Sequence, residues 1–251
     1  MSFLNEGLLT QLVNRYQIIT EMWQFYLTLG IFVVLSIAVS YLLGSINSAI
    51  VVSRLLYKED IRTHGSGNAG LTNMLRTYGM KAAALTLIGD MLKTLLAIFF
   101  TGLLLGFHYN AGISLGDGYC YMAGLFAVMG HVFPVYYGFK GGKGVLVTAT
   151  MALALTPIPF LILIILFIAI VFMSKYVSLG SVCVALLYPV MVHFYVQFVF
   201  GGQQLPGIVA LCTIILAIFI VWCHRENLKR ISDRTERKIS IGGKKKKNED
   251  E

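Results

Sequence analysis

Three short segments combine glycine with small hydroxyls, amides and cations, a side-chain set suited to gripping phosphoryl groups. The first reads Gly-Ser-Gly-Asn-Ala-Gly-Leu-Thr-Asn over residues 65–73, with Arg76 just beyond it. Glycines at 65, 67 and 70 let the backbone turn with successive N–H groups exposed, an anion-binding nest. Thr72 or Asn73 can cap a helix that begins near Met74, and Arg76 then reaches back toward the same anion. Glycine alone would mark a flexible turn between spans. Ser66, Asn68, Thr72, Asn73 and Arg76 in one window point instead to a phosphate site.

The second segment holds His131 in Gly-His-Val-Phe-Pro, followed by Phe-Lys-Gly-Gly-Lys-Gly-Val over residues 139–145. Gly141, Gly142 and Lys143 at a helix start offer N–H groups, a positive dipole end and an ammonium together. This is no Walker A loop: Tyr137 stands where the first glycine is required, and Val145 follows where Ser or Thr is expected near the lysine. A juxtamembrane turn with snorkelling lysines is the alternative. The third segment is His-Arg-Glu-Asn-Leu-Lys-Arg-Ile over residues 224–231, where His224, Asn227 and Ile231 fall on one helical face. Its plainer reading is a basic helix end. Ser178 sits in a short Lys-Tyr-Val-Ser turn, as a cap or facing the same cavity.

These segments lie between stretches suited to a membrane. The 251 residues are 57% hydrophobic and 13% charged, with a mean hydropathy of +0.76. Soluble chains carry about 25% charged residues. Charge-free runs predict a first span over residues 22–53, a second over 82–106 with Asp90 and Lys93 inside it, and a third over 118–139. The run over 176–224 is too long for one helix, and its Gly-Gly-Gln-Gln-Leu-Pro-Gly stretch divides it. Residues 144–174 are broken by Thr-Pro-Ile-Pro into two arms of about 12 to 15 residues, short by the helical rise of 1.5 Å per residue. Parity requires two passages or a re-entrant hairpin there, because lysines flank the stretch on both sides. An ion pair of Asp90 with Lys93, at i and i+3, answers the cost of placing charge in a span.

The expected fold is therefore an all-α integral membrane protein with seven transmembrane helices, the N-terminus outside and the C-terminus cytoplasmic. Of the 20 Lys and Arg, only Arg15 falls on an external segment, and Lys93 lies within a span. The net charge of +8 suits a cytoplasmic face against anionic membrane lipids and calls for no nucleic acid. Residues 1–25 read as an interfacial N-terminal extension, 26–232 as the membrane domain, and 233–251 as a basic, disordered tail with a lysine run at 244–247. Cys120, Cys183, Cys212 and Cys223 show no CxxC spacing and read as packing residues.

Taken in order, the three segments resemble the bacterial PlsY family of acyl-phosphate:glycerol-3-phosphate acyltransferases, over about residues 40–236. The resemblance implies a seven-helix fold in the bacterial plasma membrane with the site facing the cytoplasm. It implies transfer of an acyl chain from acyl phosphate to glycerol 3-phosphate, the first step of phospholipid synthesis, giving lysophosphatidic acid and phosphate without cofactor or metal. Carried over, it places Ser66, Thr72, Asn73 and Arg76 at the acyl phosphate, and Lys143, Ser178, His224 and Asn227 at glycerol 3-phosphate. Glu236 matches the family's structural glutamate. Asn47, Leu71 and Arg234 depart from the usual Pro, Ala and Gly. For the base, His224 is one option, and the resemblance implies a second, the oxygen of the acyl phosphate itself.

Other classes fit less well. A transporter or flippase for a phosphorylated solute would use the same loops, and broken helices suit it. It would also need a polar path outward, whereas the outer halves of the later spans are nearly continuous Leu, Ile, Val and Phe. No His is followed five residues on by Asp, which excludes that acyltransferase signature, and no carboxylate cluster suggests a metal.

Overall fold

The structure is a computed structural model that describes residues 2–106 and 115–239. The lysine run at 244–247, the acidic end and most of the predicted external loop at 107–117 lie outside the described residues. Among the described residues every regular element is a helix. α1 (Ser2–Asn14) packs against α5 (Met80–Leu105), where Leu9 meets Leu105 and Ile19 in a small apolar cluster. α2 (Met22–Ser45) starts where Gln24 Oε1 accepts the N–H groups of Thr20 and Glu21, satisfying donors that a helix start leaves unpaired.

The first predicted span forms one candidate crossing over Met22–Tyr57, with a local interruption in its helix. α2 stops at Ile46, and Asn47 caps a short α3 (Ser48–Val52) by accepting the Ile50 N–H at 3.2 Å. One π-helical turn, Ser53–Tyr57, follows. The cap explains the break, because an asparagine side chain offers the backbone a local partner in place of the helix ladder. α4 (Leu71–Tyr78) carries the end of the first polar segment. α6 (Leu115–Val132) lies at the centre, its Ala127 and Val128 without exposed surface, and α2 packs on it most extensively. That approach depends on Gly44, where an added Cβ would collide with the backbone of Ala127.

α7 (Val145–Leu155) and α8 (Pro157–Ser174) are the two arms around the Pro157 turn, and they are unequal. α8 has 18 residues, more than expected, and is long and apolar enough to cross a bilayer; α7 has only 11. Pro157 starts α8 without loss, since the first helical N–H has no intrahelical partner. α9 (Val177–Val199) and α10 (Gly207–Cys223) divide at the glycine-rich loop as predicted. α11 (Arg225–Ser232) then bends away from α10 by 51° at His224. Five of the described helices are long and apolar enough to span a membrane, and the bent α10–α11 pair makes a sixth.

Candidate active site

The candidate phosphate-binding residues of all three segments, with Ser178, line one cavity of about 1060 Å³. It opens among the loop before α4, the loop before α7, the start of α9 and the α10–α11 bend. The three polar segments, far apart in the chain, therefore meet.

The first loop is organised from within. Asn73 is 2% exposed; its Oδ1 accepts the Ser66 N–H at 3.0 Å, and its Nδ2 faces the carbonyls of Ile61, His64 and Asn68. Its amide is thus occupied in shaping the turn. Gly65 and Gly67 adopt left-handed φ values of 60° and 72°, which glycine takes without strain. The N–H groups of Ser66, Gly67 and Gly70 are all bonded within the loop, so these amides do not form the free nest expected of them. The open donors lie one step further on. α4 begins at Leu71 rather than Met74, after Gly70, and the Leu71 and Thr72 N–H groups face no acceptor among the described residues. Arg76, exposed on the same helix, makes no hydrogen bond or ion pair there.

Two residues without an assigned role in the sequence reading hold this loop in place. Asn47 Nδ2 donates to the Ala69 carbonyl at 3.3 Å. Arg62 donates to the carbonyls of Tyr137 at 2.8 Å and Lys140 at 3.1 Å, tying the first loop to the second, while its guanidinium holds the Asp60 carboxyl well below the usual carboxylate range. Such reach across 75 residues leaves no trace in local spacing.

The second loop also differs from expectation. The Gly141 N–H donates to the Val132 carbonyl and the Gly142 N–H to the His131 carbonyl, satisfying acceptors at the end of α6. These amides are closed to a ligand. The requirement for glycine is steric: a side chain at 142 would collide with the His131 ring and come within 2.7 Å of the Ala69 carbonyl. His131 belongs to a buried cluster beneath the loop. Lys93 Nζ lies 2.8 Å from Asp90 Oδ1, 2.9 Å from the Ile46 carbonyl and 3.0 Å from His131 Nδ1. A lysine ammonium has three protons, and all three have an acceptor here. The predicted Asp90–Lys93 pair forms, and it continues to His131.

The third group is built around Glu236. Its Oε1 accepts from Ser178 Oγ at 2.8 Å and Asn227 Nδ2 at 2.6 Å, and its Oε2 accepts from Arg230 Nε at 2.9 Å. Burial raises the pKa of this carboxyl, but those three donors outweigh it and the net shift is downward. The Ile239 N–H donates to the Lys175 carbonyl, so residues 233–239 fold back onto the site and a tail boundary at 233 divides this arrangement. Asn227 Oδ1 accepts from Lys143 Nζ, and burial lowers the pKa of that lysine. His224, 3% exposed, sits at the helix bend, so its face is not continuous with that of Asn227 and Ile231 as a single helix would make it. Its Nδ1 lies 2.8 Å from the Ile220 carbonyl, which makes Nδ1 the donor and leaves Nε2 as an acceptor. Burial pushes its pKa down to about 4, so the ring is neutral at pH 7. One further polar group lines the cavity: the buried Thr148 hydroxyl has no partner among the described residues.

Comparison with known proteins gives this arrangement a family. Residues 34–234 match the family described as glycerol-3-phosphate acyltransferase. The chain is 39% identical over 207 residues to the glycerol-3-phosphate acyltransferase of Bacillus subtilis, covering 82% of this chain and 97% of that one. It is 38% identical over 202 residues to that of Alkaliphilus metalliredigens, covering 80% and 92%. The crystal structure of PlsY (YgiH), an integral membrane glycerol 3-phosphate acyltransferase, in its glycerol 3-phosphate form aligns with a TM-score of 0.70 at 30% identity, covering 83% and 96%. Its lysophosphatidic acid form aligns at 0.68 and 29%, covering 83% and 95%. The fold and the matches define an integral membrane acyltransferase. The chain belongs to the glycerol-3-phosphate acyltransferase family of the PlsY type, which places it in phospholipid biosynthesis.

Proposed function

We propose that the acyl donor is an acyl phosphate and the products are lysophosphatidic acid and inorganic phosphate. The observation that carries this reading is the supply of two separate sets of anion partners in one cavity. Arg76 and the open amides of α4 are one set, and Lys143, with the Ser178–Asn227–Glu236 group, is the other. Two phosphoryl groups can then be held at once, one on the donor and one on glycerol 3-phosphate. Asn73, Gly141 and Gly142 act as positioning residues in this scheme, because their polar groups are engaged by the protein.

A mixed anhydride is already activated, so the protein mainly aligns two anions that would otherwise repel. Alignment of this kind supplies roughly 7 to 11 kcal/mol of a barrier. The hydroxyl oxygen of glycerol 3-phosphate attacks the carbonyl carbon and forms the ester bond. The bond between the carbonyl carbon and the bridging oxygen breaks, and phosphate leaves with that oxygen and the electron pair. The departing phosphate takes the hydroxyl proton, and His224 Nε2 orients glycerol 3-phosphate by accepting from its other, non-reacting hydroxyl. A neutral ring with a pKa near 4 is poorly matched to general base work at neutral pH, which favours the phosphate as base.

The same scheme includes seven crossings, with α7 as the seventh, the N-terminus outside and the site facing the cytoplasm of a bacterial plasma membrane. The test uses purified protein with glycerol 3-phosphate and, in parallel, palmitoyl phosphate or palmitoyl-coenzyme A. Product and phosphate from the first alone are expected. Transfer from the coenzyme A thioester alone would overturn the donor assignment. For the base, His224→Gln keeps a polar side chain without basicity. A loss of only about tenfold supports positioning, and a loss of about 10³ or more supports histidine as the base.

A further inference from the structure

The cavity continues past the phosphate-binding loops as an apolar arm between α7, α8 and α9. Its wall runs along α7 from Gly144 to Ala152, along α9 from Ser178 to Tyr188 and, in the opposite direction, along α8 from Phe167 to Phe160. At 1.5 Å per helical residue these walls are about 12, 15 and 10 Å long. None of the three helices lines the cavity beyond Ala152, Tyr188 or Phe160, so all three close it at one depth.

The closure is fastened. Thr156, in the turn between α7 and α8, has no exposed surface, and Tyr188 is 3% exposed. Thr156 Oγ1 lies 3.3 Å from the Ala152 carbonyl and 3.3 Å from the Tyr188 hydroxyl. The single threonine proton goes to the carbonyl, so the tyrosine donates and threonine accepts. A turn linking two helices is thereby latched to a third across the end of the arm. Opening it would break a hydrogen bond between two buried hydroxyls.

We infer that Tyr188, held by Thr156, is the end-stop that sets the length of acyl chain this enzyme transfers. The inference rests on the reading that the arm takes the acyl chain of an acyl phosphate. A chain that fills the arm keeps its carbonyl beside Lys143 and Thr148. A longer one must displace a bonded tyrosine or withdraw the carbonyl from the hydroxyl it has to meet. Ala185 lies three residues before Tyr188 on the same wall, and its small side chain keeps the last part of the arm open.

The experiment measures kcat/KM of the full-length enzyme for decanoyl and stearoyl phosphate at fixed glycerol 3-phosphate. Tyr188→Ala is expected to raise the stearoyl-to-decanoyl ratio by about tenfold, and Ala185→Leu to lower it by about tenfold, the scale of a methylene or two in an apolar pocket. Ala185→Leu removes no hydrogen bond, so it carries the test alone should Tyr188→Ala fail to fold. Ratios within about twofold of wild type in the folded variants would overturn the end-stop, being below what one misplaced methylene costs. Wild-type protein that transfers neither chain overturns the donor reading instead, a result distinct from active enzyme with unchanged selectivity.

Discussion

Two clusters in this molecule each bring together a lysine, a carboxylate and a histidine, and they are organised in opposite ways. Lys93 with Asp90 and His131 is closed: the lysine is 4% exposed and each of its protons has a protein acceptor. Lys143, near Glu236 and His224, is open: Asn227 is its only hydrogen-bond partner among the described residues, which leaves two protons free toward the cavity. Residue type does not separate the two, since both use the same chemistry. The number of protein acceptors does. A lysine whose protons are all engaged braces helices, and one with protons to spare can hold a substrate anion.

The largest effect expected from this contrast falls on stability. Lys93→Met leaves Asp90 buried without its cation, and breaking a buried pair in this way costs about 3–5 kcal/mol. Replacing both, as Asp90→Leu with Lys93→Met, should recover most of that loss. Thermal unfolding in detergent measures it. A Lys93→Met protein that melts like wild type yet has lost turnover would move this cluster from bracing to catalysis.

Lys143→Met should do the reverse. The fold is expected to hold, because the side chain is only partly buried, while kcat/KM for glycerol 3-phosphate falls about 10²–10³-fold, the usual loss when one charge-stabilising donor is removed. The melting temperature and the rate, taken on one preparation, check both halves of the statement. Next in size is Glu236→Gln. It removes the charge that gathers Ser178, Asn227 and Arg230, and a hydrogen bond to a charged group contributes about 1.5–3 kcal/mol. A rise in KM for glycerol 3-phosphate of about tenfold or more, with kcat less affected, is expected if Glu236 acts by positioning. An unchanged KM would show that the group keeps its shape without the charge.

Much of this was legible in the sequence, and the part that was not has a physical cause. Charge-free runs located the spans because placing charge in hydrocarbon is costly, and i, i+3 spacing gave the Asp90–Lys93 pair because a helix sets neighbours locally. The break at Asn47, the bend at His224 and the length of α8 depend on which partner a backbone group finds, which periodicity does not encode. Gly141 and Gly142 show this most clearly. The sequence marks them as a loop with free amides, and the end of α6 supplies acceptors that close those amides. Arg62, bonded across 75 residues to Tyr137, and Glu236, joined to Ser178 across 58, owe their positions to tertiary placement.

The smallest effect concerns pH, and its sign follows from burial. His224 has its pKa pushed down to about 4, with Lys143 adding to the effect and Glu236 opposing it. The group binds fewer protons folded than unfolded between that value and the ordinary 6.5, so its contribution to stability is complete above pH 6.5 and is lost as pH falls toward 4. Glu236, also shifted downward, loses its contribution in the same direction. Turnover should therefore change by less than about twofold between about pH 6 and 8, since the imidazole stays neutral throughout. The melting temperature should begin to fall as the buffer is taken below about pH 6.5. A rate that climbs through the ordinary histidine range would mean that His224 is solvated as substrate binds, and the open cluster would then owe its charge balance to a second titrating group.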